Sequence, residues 1–318
     1  MKCNSSELPI RRPRFSIVVP TFDRPVQLAR CLAGLASQDY PRECFEVIVV
    51  SDGPGSALGE ILHQYYGQMQ MRMATQEHAG PARARNTGAA EGIGEFLLFL
   101  DDDCAPDSDW LHQWDRHTRK YPNCLAGGGT CNALEDNLYS SASHVLVEYV
   151  RLYYTARREN RTPFLPANNL CVPAERFRAL GGFSSAFALA AGEDRDLCDR
   201  WHARGWPVVH AEHALASHAH RLELVSFLRQ HWTYGRGAFP LRRARRARNQ
   251  FVGIEPVGFY LGLISYPWKH CTPARAMLLS ALMCLSQVAT AAGYFDEWRR
   301  QPKTGERTNA TRVSRVRG

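Results

Sequence analysis

Five apolar residues, Phe96-Leu97-Leu98-Phe99-Leu100, run directly into three acids, Asp101-Asp102-Asp103. A run of this kind reads as a buried strand of a parallel sheet. Three adjacent carboxylates at its end repel one another and raise each other's pKa. A divalent cation relieves the repulsion, and hard carboxylate oxygens suit Mg2+ or Mn2+. Such sites commonly hold the phosphates of a nucleotide. Taken alone, the triplet fits equally a solvated acidic turn or a cap on a helix starting near Trp110.

The surrounding segments favour a ligand site. Residues 15–19 predict a buried strand closed by Pro20, and 25–36 a helix with Leu28, Cys31, Leu32 and Leu35 on one face. A second buried strand covers 45–50 and ends at Ser51-Asp52-Gly53-Pro54. A helix follows near 57–66. Met69, Met71 and Met73 then alternate with polar residues, as in a half-exposed strand. Pro81 opens a helix to about Gly92, and the strand at 95–100 delivers the acids. Such alternation predicts an α/β fold with a doubly wound, mostly parallel sheet flanked by helices. Ligands in these sheets bind beyond the carboxyl ends of the strands, where Asp23, Asp52 and Asp101–Asp103 fall. Further on, helices are expected at 108–121, 192–204 and 222–234, and a short strand at 206–211. The run Gly127-Gly128-Gly129 marks a bend or a close backbone approach.

The chain has 318 residues, 45% of them hydrophobic, enough for one large catalytic domain. Its net charge of +8 is concentrated in Arg242, Arg243, Arg245, Arg246 and Arg248, and in the last twenty residues. Basic clusters suit anionic membrane surfaces, phosphorylated ligands or nucleic acid. Without a nucleic-acid motif or interleaved aromatics, no nucleic-acid partner is expected. Ten scattered cysteines form no CxxC pair, which argues against zinc and fits a reducing cytosol. The polar N-terminus lacks an apolar signal core. Residues 251–295 are nearly uncharged, with no charge from Ala276 to Phe295. That stretch fits interfacial insertion or packing on the domain better than a full span. The expected organisation is a flexible 1–13, a catalytic domain at 14–240, a basic then hydrophobic helical extension at 241–300, and a disordered basic 301–318.

Candidate chemistry sits at four further places. Asp52 can accept from a base N–H such as N3–H of uracil, or can hydrogen-bond its own turn. In His78-Ala79-Gly80-Pro81-Ala82-Arg83-Ala84-Arg85-Asn86, Pro81 starts a helix whose amino end attracts phosphate, with Arg83 or Arg85 supplying charge. Glu193-Asp194 opens another helix, as capping charges or with one acid as general base; Asp196 fits the helix. His218 and His220, at i and i+2, can share one side of an extended segment and complete the coordination begun by Asp103.

The set resembles glycosyltransferase family 2, the inverting transferases of the GT-A fold. The resemblance covers about residues 14–240. It rests on Ser16-Ile17-Val18-Val19-Pro20-Thr21-Phe22-Asp23-Arg24, Val50-Ser51-Asp52, Gly80 to Asn86, Asp101-x-Asp103 and Asn168-Asn169. Gly181-Gly182-Phe183, Gly192-Glu193-Asp194 and Tyr234-Gly235-Arg236-Gly237 continue it. The resemblance implies a nucleoside pocket of Pro20, Thr21, Asp23 and Asp52, with Asp52 on the base. Arg83, Arg85, Asn86, Asp101, Asp102 and Arg221 would complete the donor side. Asn168, Asn169 and Gly182 would touch the sugar or acceptor. Asp103, helped by Asp101 and by His218 or His220, would bind Mg2+ or Mn2+, and Asp194 would be the base, with Glu193 beside it. The helix Phe227-Leu228-Arg229-Gln230-His231-Trp232 departs from the Gln-x-x-Arg-Trp motif of the processive synthases, which implies transfer of a single sugar.

The expected function is therefore metal-dependent transfer from a nucleoside-diphosphate sugar, UDP by default, to a glycan or lipid-linked hydroxyl. The expected place is the inner face of the cell membrane, against an anionic surface. Nucleotidyl transfer would call for a glycine-rich, Lys-bearing loop where Pro20–Arg24 stands. A non-catalytic sugar-nucleotide or membrane-surface binder would not need Asp194.

Overall fold

The computed structural model describes residues 12–55, 58–156, 162–187, 189, 191–250 and 252–301. In chain order its elements begin β1 (Phe15–Thr21), α1 (Pro25–Ala36), β2 (Phe45–Ser51), α2 (Leu58–Tyr65), β3 (Gln70–Thr75) and α3 (Pro81–Glu91). Then come β4 (Phe96–Leu100), β5 (Cys104–Pro106), α4 (Trp110–Lys120), β6 (Leu125–Asn132), α5 (Leu138–Ala156), β7 (Asn169–Pro173) and α6 (Ala174–Leu180). Last are α7 (Glu193–Ala203), β8 (Val208–His218), α8 (Leu224–Ala247), α9 (Val257–Ser265) and α10 (Pro273–Arg300).

The strands form one mixed sheet in the order β3-β2-β1-β4-β7-β6-β8-β5. The β3-β2-β1-β4 half is parallel, whereas β7 runs antiparallel to both its neighbours. Continuous apolar runs are stable there because both faces are covered. Phe15, Ile17 and Val19 of β1 join one core with Leu28, Leu32, Trp110 and Trp114; Val18 faces the other, with Phe99, Phe177, Leu197 and Trp201. The two-residue side-chain period thus feeds two cores, with α1, α2 and α4 over one face and α3, α6 and α7 over the other. Helix α1 buries Leu28, Cys31, Leu32 and Leu35, the face its spacing predicts.

Several sequence expectations change. Strand β1 continues through Pro20, which pairs with Val50. Pro13, placed in the N-terminal segment by the sequence, is buried and its carbonyl accepts from the Glu95 N–H. Strand β8 runs to His218 rather than ending near 211, because it pairs with both β6 and β5. Helix α8 continues past 234 through the arginine cluster, so the boundary placed after 240 falls inside it. Four of the five arginines have partners there: Arg245 pairs with Asp199 at 2.6 Å, Arg248 with Asp196 at 2.8 Å, Arg242 lies over the Tyr294 ring, and Arg243 donates to Gln301 at 3.0 Å. The expectations for residues 1–11 and 302–318 lie outside the described residues.

Candidate active site

The parallel register brings the carboxyl ends of β1, β2 and β4 to one rim: Thr21 pairs with Ser51, and Val18 with Phe99. The three acids leaving β4 meet different surroundings. Asp101 accepts from Arg85 Nη2 at 2.7 Å, and its N–H donates to the Asn168 carbonyl at 3.3 Å. Asp102 is buried, accepting from Thr21 Oγ1 at 2.8 Å and from Arg24 at 2.9 Å. Burial pushes its pKa up to about 6 in spite of Arg24.

Asp103 is also buried. Its Oδ2 accepts from Arg24 at 3.1 Å and lies 3.0 Å from Nδ1 of His220. Nε2 of His218 stands 3.2 Å from Oδ1. Burial alone would raise this carboxyl, but the two imidazoles outweigh it and hold the pKa well below the usual carboxylate range. The same contact raises His218 against the lowering effect of burial. Pairing of Cys104 with His218 across β5 and β8 puts the imidazole there, and its ring lies nearly parallel to that of His220, 5.5 Å away.

These residues fit a divalent cation. Oδ1 of Asp103 is buried and makes no hydrogen bond, although it stands 3.2 Å from Nε2 of His218. A lone carboxylate oxygen beside an imidazole nitrogen is a donor pair that Mn2+ or Mg2+ accepts. The Cys104 thiol lies in the same cluster, within 4.8 Å, but burial raises its pKa well above normal. A soft sulfur is in any case a poor ligand for a hard cation such as Mg2+ or Mn2+.

Across the rim, α7 begins with Glu193-Asp194. The buried Arg85 guanidinium ties α7 to the acid triplet: Nη1 donates to Glu193 Oε1 at 3.0 Å while Nη2 holds Asp101. It also lies over the Phe183 ring. Burial, then the charge of Asp194, pushes Glu193 up to about 7, and its Oε2 has no hydrogen-bond partner. Asp194 is half-buried, accepts the Arg195 N–H at 2.7 Å, and has its pKa raised by desolvation.

Other expected ligand contacts turn out to be scaffold. Asn169 Nδ2 donates to the Gly129 and Ala214 carbonyls at 2.9 and 2.8 Å, and Oδ1 accepts from Trp110. Asn169 is buried, with its amide engaged in the scaffold. It also explains the glycine run, since a Cβ at Gly128 would lie 2.2 Å from its amide. Asn86 makes two hydrogen bonds to the Phe183 backbone, both 2.8 Å, so its amide braces the scaffold. It braces Gly182, whose φ of +69° and 2.5 Å approach to Asn86 admit only glycine. Asp52 accepts from Gln76, Ala79 N–H and Gly80 N–H at 2.7–2.9 Å, with His78 at 2.9 Å. A nucleobase would have to displace one of these.

The remaining expected residues frame the rim. Pro20 and Thr21 are buried in β1, and Asp23 follows in a left-handed conformation with φ of 50°. Arg83 is exposed on α3 and does not share the Arg85 contacts. Arg221 is exposed just beyond His220 and makes no ion pair among the described residues. Asn168 keeps a buried Oδ1 without a partner beside Asp101. Sequence reasoning missed the role of Arg24, which holds Asp102 and Asp103 together; its place just past the first strand was the available signal. It also missed the stack of Phe22 on His78, with centroids 4.2 Å apart at the same rim.

Residues 16–174, half of the chain, match the family model described as glycosyl transferase family 2. The chain is 28% identical over 225 residues to validoxylamine A glucosyltransferase of Streptomyces hygroscopicus subsp. jinggangensis, covering 62% of this chain and 53% of that protein. It is 27% identical over 231 residues to pre-mycofactocin glycosyltransferase of Mycobacterium tuberculosis, covering 71% and 47%. With glycosyltransferase AglE of Haloferax volcanii it shares 34% over 104 residues, covering 32% and 34%. The chain thus spans about half the length of these curated relatives, or less. Among solved structures, mannosyltransferase PcManGT from Pyrobaculum calidifontis, in complex with GDP-Man and Mn2+, aligns with a TM-score of 0.62. That alignment covers 91% of this chain and 88% of that one at 16% identity. S. aureus TarS 1-349 in complex with UDP-GlcNAc aligns at 0.51, over 90% and 91%, at 15% identity. The structural likeness shows the fold, and the match over residues 16–174 shows the family: this chain belongs to glycosyl transferase family 2.

Proposed function

We propose that the protein transfers one sugar, with inversion, from a nucleoside-diphosphate sugar to an acceptor hydroxyl. The observation that carries this is the buried Oδ1 of Asp103 standing 3.2 Å from Nε2 of His218, across the rim from Asp194. Asp103 and His218 would hold a divalent cation, with Asp101 on the nucleotide side. When bound, the cation would offset the charge of the leaving diphosphate. The nucleotide complexes of the aligned structures support the donor class, with UDP as the default base. Pro20, Thr21 and Asp52 would line the nucleoside pocket. Arg85 is committed to Asp101 and Glu193, leaving the exposed Arg83 for the ribose side and Arg221 for the diphosphate.

Asp194 would take the proton of the acceptor hydroxyl as that oxygen attacks the anomeric carbon. The new C–O bond forms as the bond to the diphosphate breaks. Its raised pKa makes Asp194 a stronger base than a free aspartate. The acceptor would be a glycan or a lipid-linked precursor, used at the cytoplasmic membrane surface.

Titration with UDP- and GDP-sugars, with and without Mn2+, tests the reading. Binding should require the cation, and Asp103→Ala should abolish that requirement together with most of the affinity while the protein stays folded by circular dichroism. Unchanged affinity and unchanged Mn2+ dependence in the variant would show the metal assignment to be wrong.

A further inference from the structure

Among the described residues, α10 is the one helix long and apolar enough to cross a bilayer, with a mean hydropathy of 1.6 in its 18-residue window. Its inner side, however, is tied to the domain along its length. At the start Arg275 donates to Ser141 Oγ at 3.0 Å, and near the end Glu297 accepts from Arg236 at 2.8 Å. Between them Gly293 lies so close to the Trp232 carbonyl that a Cβ would stand 1.9 Å from it. A helix held this way stays with its domain rather than crossing a membrane alone.

The outer side faces solvent. Met277, Leu278, Leu285, Val288, Phe295 and Trp298 are each 45–68% exposed. At 3.6 residues per turn they cover an arc of about 160°. No charged residue falls between Ala276 and Phe295. A two-helix seam is narrower and is flanked by charges. Here the flanking positions 278, 285 and 292 are apolar, so a lipid surface fits better than a second helix. The chain beyond supplies the complementary charge. Arg299 and Arg300 end the helix, and residues 302–318 add Lys303, Arg307, Arg312, Arg315 and Arg317 against Glu306 alone. Phe295 and Trp298 bracket Asp296 and Glu297, which pair with Arg300 and Arg236, and lead into the basic stretch, as aromatic residues do at a membrane interface.

We infer that the outer face of α10 docks in the plane of an anionic leaflet, with its apolar arc at the acyl boundary and its basic C-terminal stretch on the headgroups. The inference names the surface behind the membrane placement proposed above and rests on that reading. Flotation of the full chain with vesicles of equal parts phosphatidylcholine and phosphatidylglycerol tests it. The protein should float with these, should be partly released by high salt, and should bind phosphatidylcholine alone much less. Replacing Val288, Phe295 and Trp298 together by Gln should weaken binding by at least about tenfold. Arg299→Gln with Arg300→Gln should weaken it by roughly fivefold per charge. Mn2+-dependent UDP-sugar binding should persist in both variants, so a failure of docking is separable from a failure of the transferase reading. The inference falls if the wild type ignores anionic vesicles at low salt, or if the triple variant binds them as the wild type does. It falls equally if light scattering shows a dimer that the triple variant converts to a monomer.

Discussion

Carboxylates crowd the rim at Asp101–Asp103 and at Glu193-Asp194, and the protein keeps the two groups apart with one buried cation. Arg85 holds Asp101 on one side and Glu193 on the other. Under the proposed function, that division gives Glu193 and Asp194 different work although they are adjacent. Glu193 is committed to Arg85, whereas Asp194 is free to meet an acceptor. Asp194→Asn should therefore lower kcat by on the order of 10²–10⁴ with little change in donor affinity. Steady-state rates and a donor titration check this, and near-normal turnover would move the base role to Glu193. Glu193 has its own signature in stability. Its folded pKa, about 7, lies above the ordinary 4.5, so the folded state binds its proton more tightly. Its stabilising contribution is full below 4.5 and lost as pH rises through 7. Glu193→Gln removes that titration. The Tm difference between variant and wild type should shift in the variant's favour across this window, and a constant difference would contradict the environment described for Glu193.

At the scale of elements, the tightest packing is where α8 and α10 cross. A Cβ at Gly235 would come within 1.9 Å of the Thr290 carbonyl, and one at Gly293 as close to that of Trp232. In an open helix Gly→Ala stabilises by about 0.5–1 kcal/mol. At the crossing the sign should reverse, with overpacking costing about 1–3 kcal/mol. Gly258 in α9 is the control, since nothing lies within 4 Å of its would-be Cβ. Thermal melts should show Gly293→Ala below the wild type and Gly258→Ala level with or above it. None of this crossing was visible in the sequence, where Gly235 was one member of a motif and 276–295 an uncharged stretch. The βα alternation up to β4 was legible because each period is local and strong, as the buried face of α1 shows. Helix α5 was not, because the first turns of its buried face are Ser140, Ser141, Ala142 and Ser143, and its apolar contacts through Val150 and Tyr154 come only further on. The rim was legible as a set of acids, but Asn86 and Asn169 were not legible as scaffold. Their partners, the Phe183 backbone and the Gly129 and Ala214 carbonyls, are about 40 to 100 residues away in the chain.

For the whole molecule, the arginine run in α8 joins the C-terminal layer to the helix that carries Asp194. Asp196 and Asp199 of α7 are almost fully buried. Arg245 makes a two-pronged pair with Asp199, at 2.6 and 3.0 Å, and Arg248 reaches Asp196, which also holds Arg200. Gly237 lies against the Ala191 carbonyl just before α7, with room for no Cβ. The five arginines therefore divide by partner. Arg243 and Arg246 point to the surface side of the cluster, where Arg243 meets only Gln301. Replacing both by Ala should change stability by no more than about 0.5 kcal/mol and leave turnover intact. Replacing Arg245 and Arg248 by Ala strands Asp199 as a buried unpaired charge, which typically costs about 3–5 kcal/mol. It should also lower kcat, because α7 loses the contacts that fix Asp194 at the rim. Chemical denaturation of the two double variants, with rates measured on each, separates the alternatives. If the cluster served only to meet an anionic surface, both pairs would behave alike in solution. A large gap in stability, with donor affinity retained by the Arg243 and Arg246 variant, would instead establish α8 as the strut between the C-terminal helices and the base.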